Sequence, residues 1–179
     1  MKFPKIMGIV NVTPDSFSDG GLFVKPDAAI ERGLRLIDDG ADIIDVGGES
    51  TRPNSEPITV SEELKRVIPV IEGIKKRNPK SVISIDTTKY EVAKEAVECG
   101  ATLINDVSGL RNDVRLVELA AEKGCSLIIM HMQGTPKTMQ VNPTYENVVE
   151  EVFQFLHNQI EIAKNYGVGT IIADVGIGF

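Results

Sequence analysis

Polar residues suited to ligand binding recur at one kind of place in this sequence, which is the end of a short apolar run. They are Asn11, Glu49, Asp86, Asn105, Asp106, His131 and Asp174. Because the carboxyl ends of parallel strands meet at one edge of a sheet, we expect these side chains to share a rim. Carboxylates and amides that are buried away from water need hydrogen-bond partners, and a bound ligand is a partner that all of them could share.

Three of these residues suggest the kind of ligand. Asp86, Asn105 and Asp174 end three different runs. A carboxylate accepts two parallel N–H groups, such as those on a guanidine-like ring edge, and an amide offers both a donor and an acceptor. The set indicates a nitrogen heterocycle such as a pterin or a purine.

The runs that carry these residues predict buried strands. They are rich in Ile and Val without polar alternation, which is typical of strands covered on both faces, and they occupy 5–10, 42–47, 81–86, 102–107, 126–131 and 170–175. Amphipathic segments of helical length lie between them, at 27–39, 61–77, 89–99, 112–123 and 145–166. The chain is therefore predicted to repeat a strand–helix unit.

The ends of the predicted helices carry capping residues. Gly40, Gly100, Gly124 and Gly167 each follow a predicted helix, as glycine does where the backbone turns left-handed. Asp27, Ser61 and Asn112 are the predicted N-caps.

Two α/β architectures fit this repeat, a doubly wound open sheet and a (β/α)₈ barrel. A barrel of about 250 residues has about 31 residues per unit, so that 179 residues make about 5.7 units. This spacing favours the barrel, while the open sheet remains the alternative from the pattern alone.

Composition excludes several classes of protein. The chain has 19 basic and 26 acidic residues and a net charge of −7, which argues against a partner that is duplex nucleic acid. No apolar run approaches the ~18 residues of a membrane span, so no membrane partner is expected. The two cysteines form no metal-binding motif. We expect a single domain over 1–179 and a cytoplasmic location.

Five ordered blocks resemble the signatures of one family, dihydropteroate synthase. They are IMGIVNVTPDSFSDGG (6–21), GESTRP (48–53), SIDT (84–87), INDVSGL (104–110) and MHMQG (130–134). The resemblance covers essentially the whole chain. It implies a (β/α)₈ TIM barrel, a pterin-binding domain of which this chain holds about the first six strands.

The resemblance also implies a reaction. The family are transferases that condense 6-hydroxymethyl-7,8-dihydropterin pyrophosphate with p-aminobenzoate to give 7,8-dihydropteroate and pyrophosphate, in folate synthesis. Pyrophosphate is thought to leave first, and the arylamine then attacks a pterin-methylene cation. The implied partners are these small molecules, with Mg²⁺ as cofactor, and the family is homodimeric.

The resemblance assigns roles to individual residues. Asp86, Asn105 and Asp174 would bind the pterin ring, with Val107 and Met130 on its faces. Asn11 would ligate Mg²⁺, and Thr51 would contact the pyrophosphate. The catalytic residues would be Asp19, which stabilises the cation, and Arg52, which braces the closed loops. The p-aminobenzoate slot would comprise Phe17, Pro53 and Phe179.

The sequence departs from the family pattern in two places. Val175 stands where the family has proline in the block DVGIGF (174–179), and we expect a minor effect. The family continues through two further βα units that hold a pterin-contacting lysine, pyrophosphate-binding residues and most of the dimer contacts. The sequence therefore predicts a fragment with little or no turnover by itself.

Two alternative functions share the predicted pterin site. One is a pterin-domain methyltransferase, and the other is a non-catalytic pterin-binding fragment. The first loop and the residues Ser50 to Pro53 favour the synthase, because departure of pyrophosphate requires groups that handle phosphate and a cation.

Overall fold

In the described residues, six parallel strands alternate with five helices. The computed structural model describes residues 4–13, 26–50, 56–134, 138–140 and 142–178. The strands are β1 (Met7–Asn11), β2 (Ile43–Gly47), β3 (Val82–Asp86), β4 (Leu103–Asp106), β5 (Ser126–Met130) and β6 (Ile171–Asp174). The helices are α1 (Pro26–Asp38), α2 (Val60–Arg77), α3 (Tyr90–Glu98), α4 (Arg115–Lys123) and α5 (Val148–Asn165).

The strands lie in the sheet in the order in which they occur in the chain. The order is β1-β2-β3-β4-β5-β6, and every neighbouring pair is parallel. A doubly wound sheet reverses its strand order at a switch point, whereas a barrel adds strands in one direction. The order therefore favours the barrel.

The two faces of the sheet pack differently. One face packs against the helices in a large core that includes Ile44, Ile83 and Leu127. On the other face, strand residues form a separate layer to which no described helix residue belongs, made of Met7, Ile43, Val82, Leu103 and Ile128. A doubly wound sheet carries helices on both faces, so this layer of described residues fits the inner face of a barrel-type sheet.

The inner face is most open at the two edge strands. Ile9 of β1 shares the inner face with Met7, because side chains alternate along a strand. Ile9 is 60% exposed and Ile172 of β6 is 39% exposed. The carboxyl ends of all six strands border this open inner face.

The helix ends confirm some predictions and correct others. Gly40, Gly100, Gly124 and Gly167 all have positive φ, as predicted. The N-cap of α2 is Thr59 rather than Ser61, since the Thr59 hydroxyl accepts the Glu62 N–H.

Two more predicted caps are wrong. Asp27 lies inside the first turn of α1. Helix α4 begins at Arg115, three residues after the predicted start. The side chain of Asn112 does not cap it and instead donates to Thr88 Oγ1 at 3.0 Å. Within the described part of the chain, no helix has the length and apolar character needed to cross a bilayer.

Candidate ligand site at the strand ends

A continuous row of residues, called here the strand-end row, joins the carboxyl ends of the first four strands. Asn11 pairs in register with Gly47, Gly47 with Asp86, and Asp86 with Asn105. The predicted residues of β1, β3 and β4 are therefore brought together. Gly47 leaves the space that Asp86 occupies, because a Cβ at Gly47 would lie 3.1 Å from Asp86 Oδ2.

Asp86 supplies the carboxyl group of this row, and its ionisation is strongly perturbed. Its pKa lies well above its usual range, first because burial disfavours the charge and then because Asp45, Glu63, Asp106 and Glu49 repel it. Asp86 is half-buried, and a desolvated carboxylate surrounded by other carboxylates gains most from a ligand that presents N–H donors. This electrostatic setting is common at functional sites.

Asn105 has a defined orientation. Its Nδ2 donates to Asp45 Oδ2 at 3.1 Å, across the inner face from β4 to β2. Asp45 is buried, whereas Asn105 is half-buried. The remaining N–H and the Oδ1 of Asn105 are available for a ligand.

Two predicted ring-contacting residues lie in one small apolar cluster. Val107 and Met130 pack together with Met132 and Met139, apart from the main core. Val107 follows β4 and Met130 ends β5, so the cluster adjoins the strand-end row. The structure therefore places Val107 and Met130 in one apolar cluster, and their contact with a pterin ring stays a prediction.

Asp174 and Asn11 lie at the two edges of the sheet, and both are exposed. Asp174 pairs in register with Met130, and its Oδ1 accepts the Gly176 N–H at 2.8 Å. Asn11 ends β1 beside Gly47. In the described part of the chain, no cluster of three or more His, Cys, Asp or Glu residues could hold a metal ion.

Asp106 has a structural role. It faces away from the row and is fully buried, and its two oxygens accept the backbone N–H groups of Ser108 (2.8 Å) and Leu110 (2.6 Å). Burial raises the pKa of Asp106, and these hydrogen bonds oppose the rise. Asp106 thus shapes the turn after β4.

Glu49 also has protein partners. Lys89 forms ion pairs with Glu49 and with the fully buried Glu63, the latter at 2.5 Å. Glu49 Oε2 in addition accepts the Ile58 N–H at 3.4 Å. These contacts join the end of β2 to α2 and to the start of α3.

His131 is a packed residue. Its ring lies edge-on to Phe155, with centroids 5.2 Å apart, and near Tyr145. Burial lowers the pKa of His131, and the Arg111 charge lowers it further. Of the strand-end residues, Asp106, Glu49 and His131 therefore serve the protein's own structure.

The other predicted site residues lie outside the described residues. They are Phe17, Asp19, Thr51, Arg52, Pro53 and Phe179. Their assigned roles stay predictions.

Sequence reasoning missed Asp45, which sits inside an apolar run rather than at its end. The period of two along a strand places Ile43, Asp45 and Gly47 on the same face, and Gly47 belongs to the strand-end row. That periodicity is the signal that could have assigned Asp45 to the inner face.

Comparisons with known proteins identify the family to which the chain belongs. Residues 7–179 match the family described as pterin binding enzyme. The dihydropteroate synthase of Synechocystis sp. is 44% identical over 97% of this chain and 61% of its own length. The crystal structure of the Yersinia pestis dihydropteroate synthase with a sulfonamide drug complex superposes with a TM-score of 0.89, at 42% identity over 98% of this chain and 64% of that one.

A third relative is described with a pterin compound. The structure of Xanthomonas albilineans dihydropteroate synthase in complex with 7,8-dihydropteroate gives a TM-score of 0.83 at 42% identity, over 98% of this chain and 62% of that chain. These neighbours are (β/α)₈ barrels, which confirms the predicted fold class. The chain spans between 61% and 64% of the lengths of these three relatives.

Proposed function

Because the chain belongs to the pterin-binding enzyme family, we propose that it forms the pterin-binding part of a dihydropteroate synthase. The reaction is the condensation of 6-hydroxymethyl-7,8-dihydropterin pyrophosphate with p-aminobenzoate. The observation that carries the proposal is the row in which Asp86 and Asn105 adjoin at neighbouring strand ends. All three relatives described above are dihydropteroate synthases, which favours this function over the methyltransferase.

The pterin ring offers the groups that these residues need. Its 2-amino group and ring N–H form a guanidine-like edge, which a carboxylate such as Asp86 can accept with both oxygens. Asn105 supplies an acceptor and a donor to the same ring. Asp174 adds a second carboxylate to this polar set, since it pairs in register with Met130 of the apolar cluster.

The apolar cluster would hold the ring faces. Val107 and Met130 are both buried and in one cluster. A methionine side chain packs well against an aromatic face because its sulfur is polarizable. Polar groups on the ring edge and apolar groups on its faces would fix the ring in a single orientation, which sets the position of the exocyclic methylene.

The leaving group requires charge neutralisation, and Asn11 fits a role in it. Mg²⁺ is commonly bound by one or two protein oxygens together with phosphate oxygens, and it would offset the charge of the departing pyrophosphate. Asn11 is exposed at the rim in register with Gly47, and its amide oxygen suits such a single contact. Thr51 is proposed to contact the pyrophosphate.

The remaining steps are assigned to residues that follow β1 and β2 in the sequence and to Phe179. Asp19 is proposed to stabilise the methylene cation and Arg52 to brace the closed site. Phe17, Pro53 and Phe179 are proposed to hold the p-aminobenzoate ring. Exclusion of water would protect the cation until the arylamine attacks. A homodimer is the proposed assembly.

Pyrophosphate release tests the proposal. We expect 6-hydroxymethylpterin to bind, as measured by calorimetry, and any release of pyrophosphate from the dihydropterin pyrophosphate to depend on Mg²⁺ and on p-aminobenzoate. Asp86→Asn should weaken pterin binding at least about tenfold, because a charge-assisted contact is lost.

The matched control removes a carboxylate far from the site. Asp39 directly follows α1 and precedes β2, so it lies toward the amino-terminal ends of the strands, away from the site at their carboxyl ends. Its side chain is exposed. Asp39→Asn should leave pterin binding unchanged. If the unsubstituted protein neither binds the pterin nor releases pyrophosphate, the proposed function is wrong.

A further inference from the structure

The amide of Asn105 has two chemically different ends, and its nitrogen faces Asp45. An amide nitrogen donates hydrogen bonds and accepts none. The contact of Nδ2 with Asp45 Oδ2 at 3.1 Å is therefore made by the donor end of the amide. The acceptor Oδ1 must then point away from Asp45.

Asp45 is built into the sheet in a way that keeps it in place. It is only 4% exposed, and it pairs in register with Ser84 on β3. Ser84 is a small, buried residue, and it lies on the strand between Asp45 and Asn105. The contact between β2 and β4 therefore passes over β3 on the inner face.

Asp45 lies one layer below the strand-end row. Its neighbour on the same face of β2 is Gly47, which is paired with Asp86. Its second oxygen, Oδ1, is buried, and hydrogen bonding with Ser84 and Asn105 opposes the rise that burial causes in the Asp45 pKa. A buried carboxylate that accepts from Asn105 contributes little to stability by itself, since burying its charge is costly. A role in orienting Asn105 explains why a charge is placed there.

We propose that Asp45 is a positioning residue that fixes the amide of Asn105, so that its Oδ1 and its second N–H face the bound pterin. The inference rests on the proposed function, because it names the orientation in which that site reads its ligand. Asp45 acts through Asn105 and is not itself assigned a contact with the ring.

A double-mutant cycle separates this role from a general effect on folding. The probe is 6-hydroxymethylpterin, and the variants are Asp45→Asn, Asn105→Ala and the two combined. Asparagine is isosteric with aspartate but can donate as well as accept, so the Asn105 amide is no longer held in one orientation. We expect Asp45→Asn to raise the Kd about tenfold, the factor set by one hydrogen bond.

The combined variant gives the decisive comparison. When Asn105 is already alanine, Asp45→Asn should change the Kd less than about twofold, because the residue through which it acts is absent. Equal effects in both backgrounds would overturn the inference, and so would an unchanged Kd in Asp45→Asn. A merely structural role of Asp45 would not depend on residue 105.

A reciprocal exchange keeps the test valid if Asp45→Asn folds poorly. Asn105→Asp alone would place two carboxylates against each other, and we expect weak binding. Adding Asp45→Asn restores a donor–acceptor pair with its direction reversed, and binding should partly recover. No recovery in the exchanged protein would contradict the inference.

The failure of the inference and that of the proposed function are distinguishable. If the unsubstituted protein does not bind the pterin, the proposed function fails and the inference fails with it. If it binds the pterin and Asp86→Asn abolishes binding while the cycle shows no coupling, the inference alone is wrong.

Discussion

At the residue scale, two adjacent glycines at the end of β2 limit the space on opposite faces of the sheet. A Cβ at Gly47 would lie 3.1 Å from Asp86 Oδ2 on the inner face. A Cβ at Gly48 would lie 2.8 Å from Val67 Cγ1 and 3.0 Å from Glu63 Cγ of α2. One glycine thus makes room for the site and the other makes room for a helix.

Alanine at each glycine should therefore have a different effect. We expect Gly47→Ala to displace Asp86 and weaken pterin binding several-fold, with little change in melting temperature. Gly48→Ala should instead lower the free energy of unfolding by about 1–3 kcal/mol through overpacking. Calorimetric binding and thermal unfolding of both variants check the prediction, and the same effect on both quantities in the two variants would contradict it.

The raised pKa of Asp86 predicts how pterin binding depends on pH. The N–H edge of a neutral pterin needs the carboxylate form, so affinity should fall as the pH decreases through the Asp86 pKa. Because that pKa is raised, the fall should begin well above the usual aspartate pKa of about 3.9. Binding measured by pterin fluorescence across this range is the test.

The carboxylates near Asp86 also predict the direction in which Asp45→Asn shifts the pH dependence of binding. Asp45 is one of the carboxylates that raise the pKa of Asp86. Asp45→Asn removes that repulsion, so the midpoint of the affinity loss should move to lower pH, whatever happens to the affinity at neutral pH. A midpoint that stays in place or moves to higher pH would contradict the account of Asp86 given above.

At the element scale, α1 and α2 approach closely through a reciprocal pair of glycines. A Cβ at Gly73 of α2 would lie 2.2 Å from Ile30 Cδ1, and a Cβ at Gly33 of α1 would lie 2.6 Å from Ile74 Cδ1. Each helix thus presents a glycine to an isoleucine of the other. Since α2 also supplies Glu63, this packing helps to support the end of β2.

Alanine at Gly73 should destabilise the protein although alanine is the better helix former. The gain in helix propensity is about 1 kcal/mol, whereas overpacking costs about 1–3 kcal/mol. The additional change Ile30→Val removes the Cδ1 atom and should recover part of the loss. Denaturant unfolding measures both variants. The control is Gly169→Ala, because a Cβ there meets no atom within 4 Å and stability should change little.

At the scale of the whole molecule, the features that the sequence predicts correctly are those that depend on local residue patterns. Runs of Ile and Val located all six strands, and the polar residues that end them located Asp86, Asn105 and Asp174. The exception at β1 is informative. The strand extends to Asn11, one residue past the predicted end, because it pairs with β2 up to Gly47.

The parts that were not visible depend on contacts between distant segments. Asp45 lies within an apolar run, and its role becomes evident only when β4 places Asn105 across the inner face. Asp106 has the same strand-end position as Asp86, yet alternation along β4 turns it toward its own loop. The contact of Asn112 with Thr88, which lies 24 residues earlier in the chain, was likewise not visible from the local pattern.

The strand order has a consequence for how the chain folds. Every strand pairs with the next one along the chain, so residues paired in the sheet are only about 20 to 45 positions apart in sequence. Pairings of this range close shorter loops than a pairing between the first and the last strand would, and the cost in loop-closure entropy is lower. Each strand–helix unit can therefore join the preceding one as it leaves the ribosome, and β2 to β4, which carry Asp45, Asp86 and Asn105, can be assembled before β6 has been synthesised.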